Sequence, residues 1–333
     1  MAKMKAVALD PNQNLVDIEV EKPEPTGRDL LVRVRAVAVN PVDTKQPPAD
    51  PSAPPRILGW DAAGTVEAVG SECTLFRPGD DVYYAGSIVR NGANSEYHLV
   101  DERIVGRKPR TLDFAEAAAL PLTSLTAWEG LFERLGVAKT GMQGAPILIV
   151  GAAGGVGSIA TQLARRAGLT VIGTASRPES REWALAHGVH HVVDHTQPFA
   201  TQLQALGIPQ VDYVFCLNEV HSNWENMLSV LRPMGRICTI LPPMEPLNFR
   251  PMADKSITWS IEAMFARSKH QTPDMEEQHR ILCELADWVD AGQIQTTLSE
   301  RLSPISAANL AAAFAKIRSR RTIGKIALEG FAK

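Results

Sequence analysis

Between residues 147 and 157 the chain reads I-L-I-V-G-A-A-G-G-V-G, an apolar run that breaks into glycines. The glycines lead directly into a segment where Val156, Ile159, Ala160, Leu163, Ala164 and Ala167 recur at three- and four-residue steps. That periodicity predicts an amphipathic helix lying on a sheet, with Gly168 as its stop. A helix entered abruptly from a strand aims unpaired N–H groups, and the positive end of its dipole, at whatever lies over the turn. A phosphate suits that place. In the G-x-G-x-x-G fingerprint of dinucleotide sites, the second glycine admits a pyrophosphate to the backbone and the third lets helix pack on strand. Gly154 and Gly157 take those places, Ala152 takes the first, and Gly155 and Val156 complete the turn, so these five residues are the candidate cofactor cradle.

A dinucleotide with a free ribose 2′-hydroxyl is held by a carboxylate about 20 residues past the glycines. Here residues 173–178 read G-T-A-S-R-P, and no acid occurs before Glu179. Ser176, Arg177 and Arg181 stand there instead. A guanidinium can grip a 2′-phosphate through two parallel hydrogen bonds, so the expected cofactor is NADPH rather than NADH. The competing reading is a pair of solvated arginines at the start of a helix.

The elements that must position these residues come in two textures, and 333 residues suffice for two domains. From residue 1 to about 113 short β-like runs are broken by Pro and Gly. Residues 30–39 alternate and then turn continuously small and apolar; residues 64–70, 77–84 and 96–100 also read as strands, and the proline-rich stretch 46–56 reads as a loop. Helical texture follows at 114–120, with Asp113 as N-cap, and at 126–135. From 147 onward strands at 147–150, 170–174, 191–194, 211–216, 235–240 and 257–260 alternate with helices. Six such strands predict an α/β fold with a doubly wound parallel sheet. A long helix over 274–291 ends at Gly292, and a strand at 324–328 returns to the β-rich domain. The expected division is residues 1–122 with 292–333, and residues 123–291.

Lys plus Arg number 34 against 37 Asp plus Glu, a net charge of -3 that argues against a nucleic-acid or membrane-surface partner. No apolar run has the length of a signal peptide core or a membrane span. Cys73, Cys216, Cys238 and Cys283 form no C-x-x-C pair, so neither a cysteine-rich zinc lobe nor a disulfide framework is expected, and the cytoplasm is the default location.

These features together resemble the medium-chain dehydrogenase/reductase superfamily, and within it the zinc-free quinone oxidoreductase branch with its zinc-type alcohol dehydrogenase-like proteins. The marks are N-P-V-D at 40–43, L-G-W-D-A-A-G at 58–64, P-L-T at 121–123 with T-A-W at 126–128, A-A-G-G-V-G at 152–157 and G-K at 324–325. The resemblance implies a GroES-like barrel domain beside the Rossmann domain. Zinc-dependent relatives place metal ligands where this chain has Asn40, Trp60 and Leu122, none of which suits zinc. No metal is therefore expected. Without a Lewis acid the implied reaction is hydride transfer from NADPH to an already activated acceptor, a quinone or an α,β-unsaturated carbonyl. Asn40 and Thr126 would lie near the nicotinamide, Trp60, Tyr83 and Tyr84 would line the substrate cleft with Tyr84 a possible proton donor, and Asp43 would hold the Asn40 loop in shape. Pairing of the apolar segment 257–264 with its copy would give a homodimer. The alternatives are an enoyl-thioester reductase and a low-turnover NADPH-binding protein of zeta-crystallin type.

Overall fold

The structure, a computed structural model, describes residues 2–46 and 55–332, so most of the expected proline-rich loop lies outside the described residues. Two compact units emerge, Met1–Leu125 with Phe265–Lys333, and Thr126–Met264. The first contains strands β1 (Lys3–Leu9), β2 (Leu15–Glu21), β3 (Asp29–Ala38), β4 (Arg56–Ile57), β5 (Ala62–Val69), β6 (Asp81–Tyr84), β7 (Tyr97–Asp101) and β8 (Val105–Arg107). The second contains β9 (Pro146–Val150), β10 (Thr170–Thr174), β11 (His191–Val193), β12 (Val211–Cys216), β13 (Leu231–Thr239) and β14 (Thr258–Ile261). Strands β15 (Leu298–Leu302) and β16 (Lys325–Glu329) belong again to the first.

In the first unit β2-β1-β4 form a small sheet, and β15-β16-β3-β5-β6-β8 form a large one with β7 also paired to β3. Strand β3 shows why: Arg33 and Arg35 face out between the buried Val32, Val34 and Ala36, and from Ala36 to Ala38 every residue is buried. Where β3 meets β5, Gly64 lets the strands close, since a Cβ there would lie 2.3 Å from the Arg33 carbonyl oxygen. The C-terminal strand β16 pairs antiparallel with β3, Ala327 opposite Ala38, and this places Lys325 beside the end of β3.

The second unit is a six-stranded sheet in the order β11-β10-β9-β12-β13-β14. Every pairing in it is parallel. All six expected strands are present. The order reverses between β9 and β12, the switch point at whose carboxyl edge doubly wound sheets bind ligands. Leu148, Val150, Ile172, Val214 and Cys216 are among the sheet residues that pack with Phe199, Trp224, Met227 and Leu228 from the helices. Each fully buried apolar side chain contributes about 1.5–3 kcal/mol.

Two expectations need correction. Residues 265–291 lie in the first unit, not with the parallel sheet. The helix Glu277–Asp290 is held against the large sheet: Tyr83 Oη donates to the Leu282 carbonyl at 2.6 Å, and His279 Nδ1 donates to the Val105 carbonyl at 2.6 Å. The helical segment at 126–135 is also not one regular helix. Pro121–Trp128 is α-helical and continues as a π-helix over Glu129–Arg134. The preceding helix, Phe114–Ala118, has the expected N-cap, with Asp113 and Glu116 forming a reciprocal capping box. Among the described residues no helix is long and apolar enough to cross a membrane.

Candidate functional site

In the sheet unit the glycine turn joins β9 to the helix Gly155–Arg166. Gly151 makes the sharp reversal, with φ +91°. A Cβ on Gly157 would lie 2.2 Å from the Gly151 carbonyl oxygen, so only glycine lets the helix settle on the turn. Ala152 is buried, and its methyl fills the space that a side chain on Gly173 would need. The alanine at the first fingerprint position is thus a packing residue, and the glycine before it does the turning. The Gly151 N–H donates to Thr174 Oγ1 at 2.9 Å and the Ala152 N–H to the Thr174 carbonyl at 3.3 Å, which ties the turn to the end of β10.

Gly154 is the helix N-cap and has no side chain to satisfy the first-turn amides. A Cβ on it would meet only the Gly151 carbonyl oxygen, at 3.5 Å, so its outer side is open. Gly155 and Val156 are half-exposed beside it. Open space, first-turn N–H groups with no acceptor among the described residues, and a helix dipole fit a pyrophosphate. Past β10, Ser176 and Arg181 are exposed, and Arg177 is the N-cap of the helix Pro178–Ala186. Arg181 Nη1 donates to the Ala175 carbonyl at 3.3 Å. No carboxylate intervenes before Glu179, so the donors present fit a phosphate rather than a bare ribose. Asn218, exposed after β12, has its side chain against Gly151, within 2.8 Å of where a Cβ would be. Sequence reasoning passed over it; its signal is being the first polar residue after the strand across the switch point.

The first unit holds a second polar group. Asn40, Asp61 and Lys325 are 1%, 0% and 3% exposed. The Lys325 ammonium donates to the Val39 carbonyl at 2.9 Å, to Asn40 Oδ1 at 2.6 Å and to Asp61 Oδ2 at 2.7 Å, which uses all three of its protons. Asp61 Oδ2 also accepts from Asn40 Nδ2 at 2.8 Å, and Asp61 Oδ1 accepts from the Leu122 N–H at 2.7 Å. Burial pushes the Asp61 carboxyl upward from its ordinary value, while Lys325, Asn40 and the Leu122 amide pull it down. The Asn40 N–H donates to Asp43 Oδ2 at 2.8 Å. Asp43 Oδ1 is buried with no hydrogen-bond partner among the described residues, and burial raises the carboxyl from its ordinary 3.8 to about 7. Asp61 and Lys325 are site-building residues that the motifs contained but that pattern reading did not single out.

Of the other expected site residues, Thr126 is buried on the helix Pro121–Trp128. Trp60 is buried, donates Nε1–H to the Ser87 carbonyl at 3.1 Å and sits edge-on to Phe265. Tyr84 is buried against His98, with its hydroxyl 3.1 Å from Nδ1. Because His98 Nε2 lies 2.9 Å from the Asn91 carbonyl, an acceptor only, Nε2 carries the ring proton and Tyr84 donates to Nδ1. Burial lowers His98 to about 4 and raises Tyr84 well above its ordinary value, so both stay neutral.

Zinc does not fit the first unit's group. The three places expected for ligands hold an amide, an indole and an aliphatic side chain, and an ammonium already bonds the amide oxygen. Among the described residues no group of three or more His, Cys, Asp or Glu could hold a metal.

Residues 26–111 match the family described as alcohol dehydrogenase GroES-like domain, and residues 187–328 the family described as zinc-binding dehydrogenase. A zinc-type alcohol dehydrogenase-like protein from Staphylococcus aureus (strain MSSA476) is 42% identical over 312 residues, 93% of each chain. A quinone oxidoreductase from Pseudomonas aeruginosa is 32% identical over 92% of each. The crystal structure of a Rhizobium etli CFN 42 protein, provisionally described as a zinc-dependent alcohol dehydrogenase, is 50% identical and superposes with a TM-score of 0.94 over all of both chains. A mycobacterial protein solved in complex with NADPH is 26% identical, with a TM-score of 0.82 over 98% of this chain and 99% of that one.

Proposed function

Because the chain belongs to the medium-chain dehydrogenase/reductase superfamily, among zinc-type alcohol dehydrogenase-like proteins and quinone oxidoreductases, we propose that it is an NADPH-dependent, zinc-independent reductase of quinones or α,β-unsaturated carbonyls. The observation that carries this reading is the Lys325 ammonium bonded to Asn40 and Asp61, where zinc-dependent relatives would need a metal. The mycobacterial relative's NADPH complex supports the cofactor half, together with Ser176, Arg177 and Arg181 past β10.

NADPH would supply the hydride when bound. Gly155, Val156 and Gly157 would hold its pyrophosphate by backbone N–H groups, Gly154 would leave room for it, Ala152 packs the turn behind them, and Ser176, Arg177 and Arg181 would take the 2′-phosphate. The resemblance assigns to Asn40 and Thr126 the orientation of the nicotinamide and the acceptor, and such positioning would supply much of the rate. Trp60 and Tyr84, buried against Phe265 and His98, would support the substrate side as the resemblance implies. The Tyr84 hydroxyl is engaged as a hydrogen-bond donor to His98, which favours solvent as the source of the proton that would complete reduction. The partner is a second copy of the chain, paired through β14.

The test mixes protein and NADPH with 1,4-benzoquinone, 2-alkenals and crotonyl-CoA, and follows absorbance of the reduced nicotinamide. Consumption with the quinone or alkenals is expected; turnover confined to crotonyl-CoA would make it a thioester reductase, and binding without turnover would make it a carrier. Arg177→Ala should raise the KM for NADPH far more than that for NADH, with equal effects sinking the cofactor assignment. Metal analysis that finds a tightly bound zinc in every chain would overturn zinc independence.

A further inference from the structure

The side-chain amide of Asn40 is held by two groups with opposite requirements. Lys325 Nζ, a donor only, meets its oxygen at 2.6 Å; Asp61 Oδ2, an acceptor when ionised, meets its nitrogen at 2.8 Å. An amide flip would set the NH₂ against the ammonium and the oxygen against the carboxylate. Both bonds would be lost among side chains that are at most 3% exposed, and a buried group left unpaired costs about 1–3 kcal/mol, more where it is charged. The chemistry of the neighbours therefore assigns the amide's orientation without ambiguity. One N–H of Nδ2 goes to Asp61, and among the described residues the other has no acceptor.

We propose that Lys325 is a positioning residue: a fixed buried cation, paired with Asp61, that locks the Asn40 amide in one orientation and leaves a single N–H to meet the reacting partner. The ammonium takes no part in proton transfer, because each of its three protons is already bonded. Its charge stands beside the residue that would be a metal ligand in zinc-dependent relatives, so one cation serves where another kind would sit. Asp61 anchors the pair through the Leu122 amide, and Asp43 fixes the Asn40 backbone. The catalytic consequence rests on the reductase reading; the locked amide does not.

The experiment uses the full chain with asparagine side chains selectively labelled with nitrogen-15. The Asn40 amide pair is identified by its loss in Asn40→Ala, and its hydrogen exchange is measured in the wild type and in the double variant Lys325→Met with Asp61→Asn. The double variant leaves no charge unpaired, and circular dichroism checks that it folds. Slow exchange in the wild type is expected to rise by about tenfold or more in the variant as the lock is lost. With NADPH and the acceptor that responds, kcat should fall about 100-fold, the loss typical of a misplaced group, while the KM for NADPH stays unchanged. An Asn40 amide that keeps its shift and protection in the variant overturns the proposal whatever the activity, and so does lost protection with unchanged kcat. A lock that responds as expected in a protein that reduces none of the acceptors upholds the amide assignment and fails the reductase reading alone.

Discussion

Asp43 shows how a single residue can serve geometry at a thermodynamic cost. Its carboxyl accepts the Asn40 N–H but is fully buried, and its folded-state pKa is about 7 against an ordinary 3.8. Between those values the folded chain holds a proton that the unfolded chain has released, so this group's contribution to stability is present below the lower value and declines as pH rises through the upper one. Asp43→Asn keeps an acceptor for the Asn40 N–H and cannot ionise. Urea denaturation across the same pH window is expected to show the variant gaining on the wild type as pH rises; parallel curves would mean that Asp43 is charged in the fold. Asp43, Asn40, Asp61 and Lys325 were all visible in sequence as parts of motifs, yet their chemistry was not. Lys325 is 264 positions from Asp61, and nothing local in either segment says that they meet.

The glycine turn is the element where sequence and structure agree most closely, because its constraint is steric and local. Gly157 and Gly154 separate its two duties. Gly157→Ala would force a methyl against the Gly151 backbone and should cost about 1–3 kcal/mol in thermal or urea denaturation. Gly154→Ala meets open space and should fold as the wild type does, but should weaken NADPH binding by filling the ligand's side of the turn. Equal stability losses in the two would refute this division. The parallel strands were legible because, buried on both faces, they read as continuous apolar runs. Tyr83 was not legible: a tyrosine in a barrel strand reads alike whether it faces a cleft or a helix, and here its hydroxyl is spent on the Leu282 carbonyl. The helix Glu277–Asp290 misled for a related reason. Its apolar stripe predicts burial against a sheet but not against which one.

At the scale of the whole molecule the exposed edge of the parallel sheet bears on assembly. Strand β14 is the last in its sheet and among the described residues pairs only with β13, and Ile261 on it is 45% exposed. An unpaired, apolar sheet edge is a template for another strand. Ile261→Lys places a charge on that edge and is expected to shift a dimer to monomer in analytical ultracentrifugation. A wild-type protein that sediments as a monomer would rule out the β14 interface.

The pairing of Lys325 with Asp61 also has a bearing on how the chain is made. The carboxylate belongs to a strand synthesised early, whereas its cation arrives only with β16, after the entire parallel sheet has left the ribosome. Until then Asp61 has no Lys325 to pair with, and β3 lacks the strand that pairs with its end. That unit is built from two separated stretches of chain, whereas the sheet unit is continuous in sequence. A chain truncated before β16 is therefore expected to leave Asp61 without its cation and the end of β3 without its partner strand.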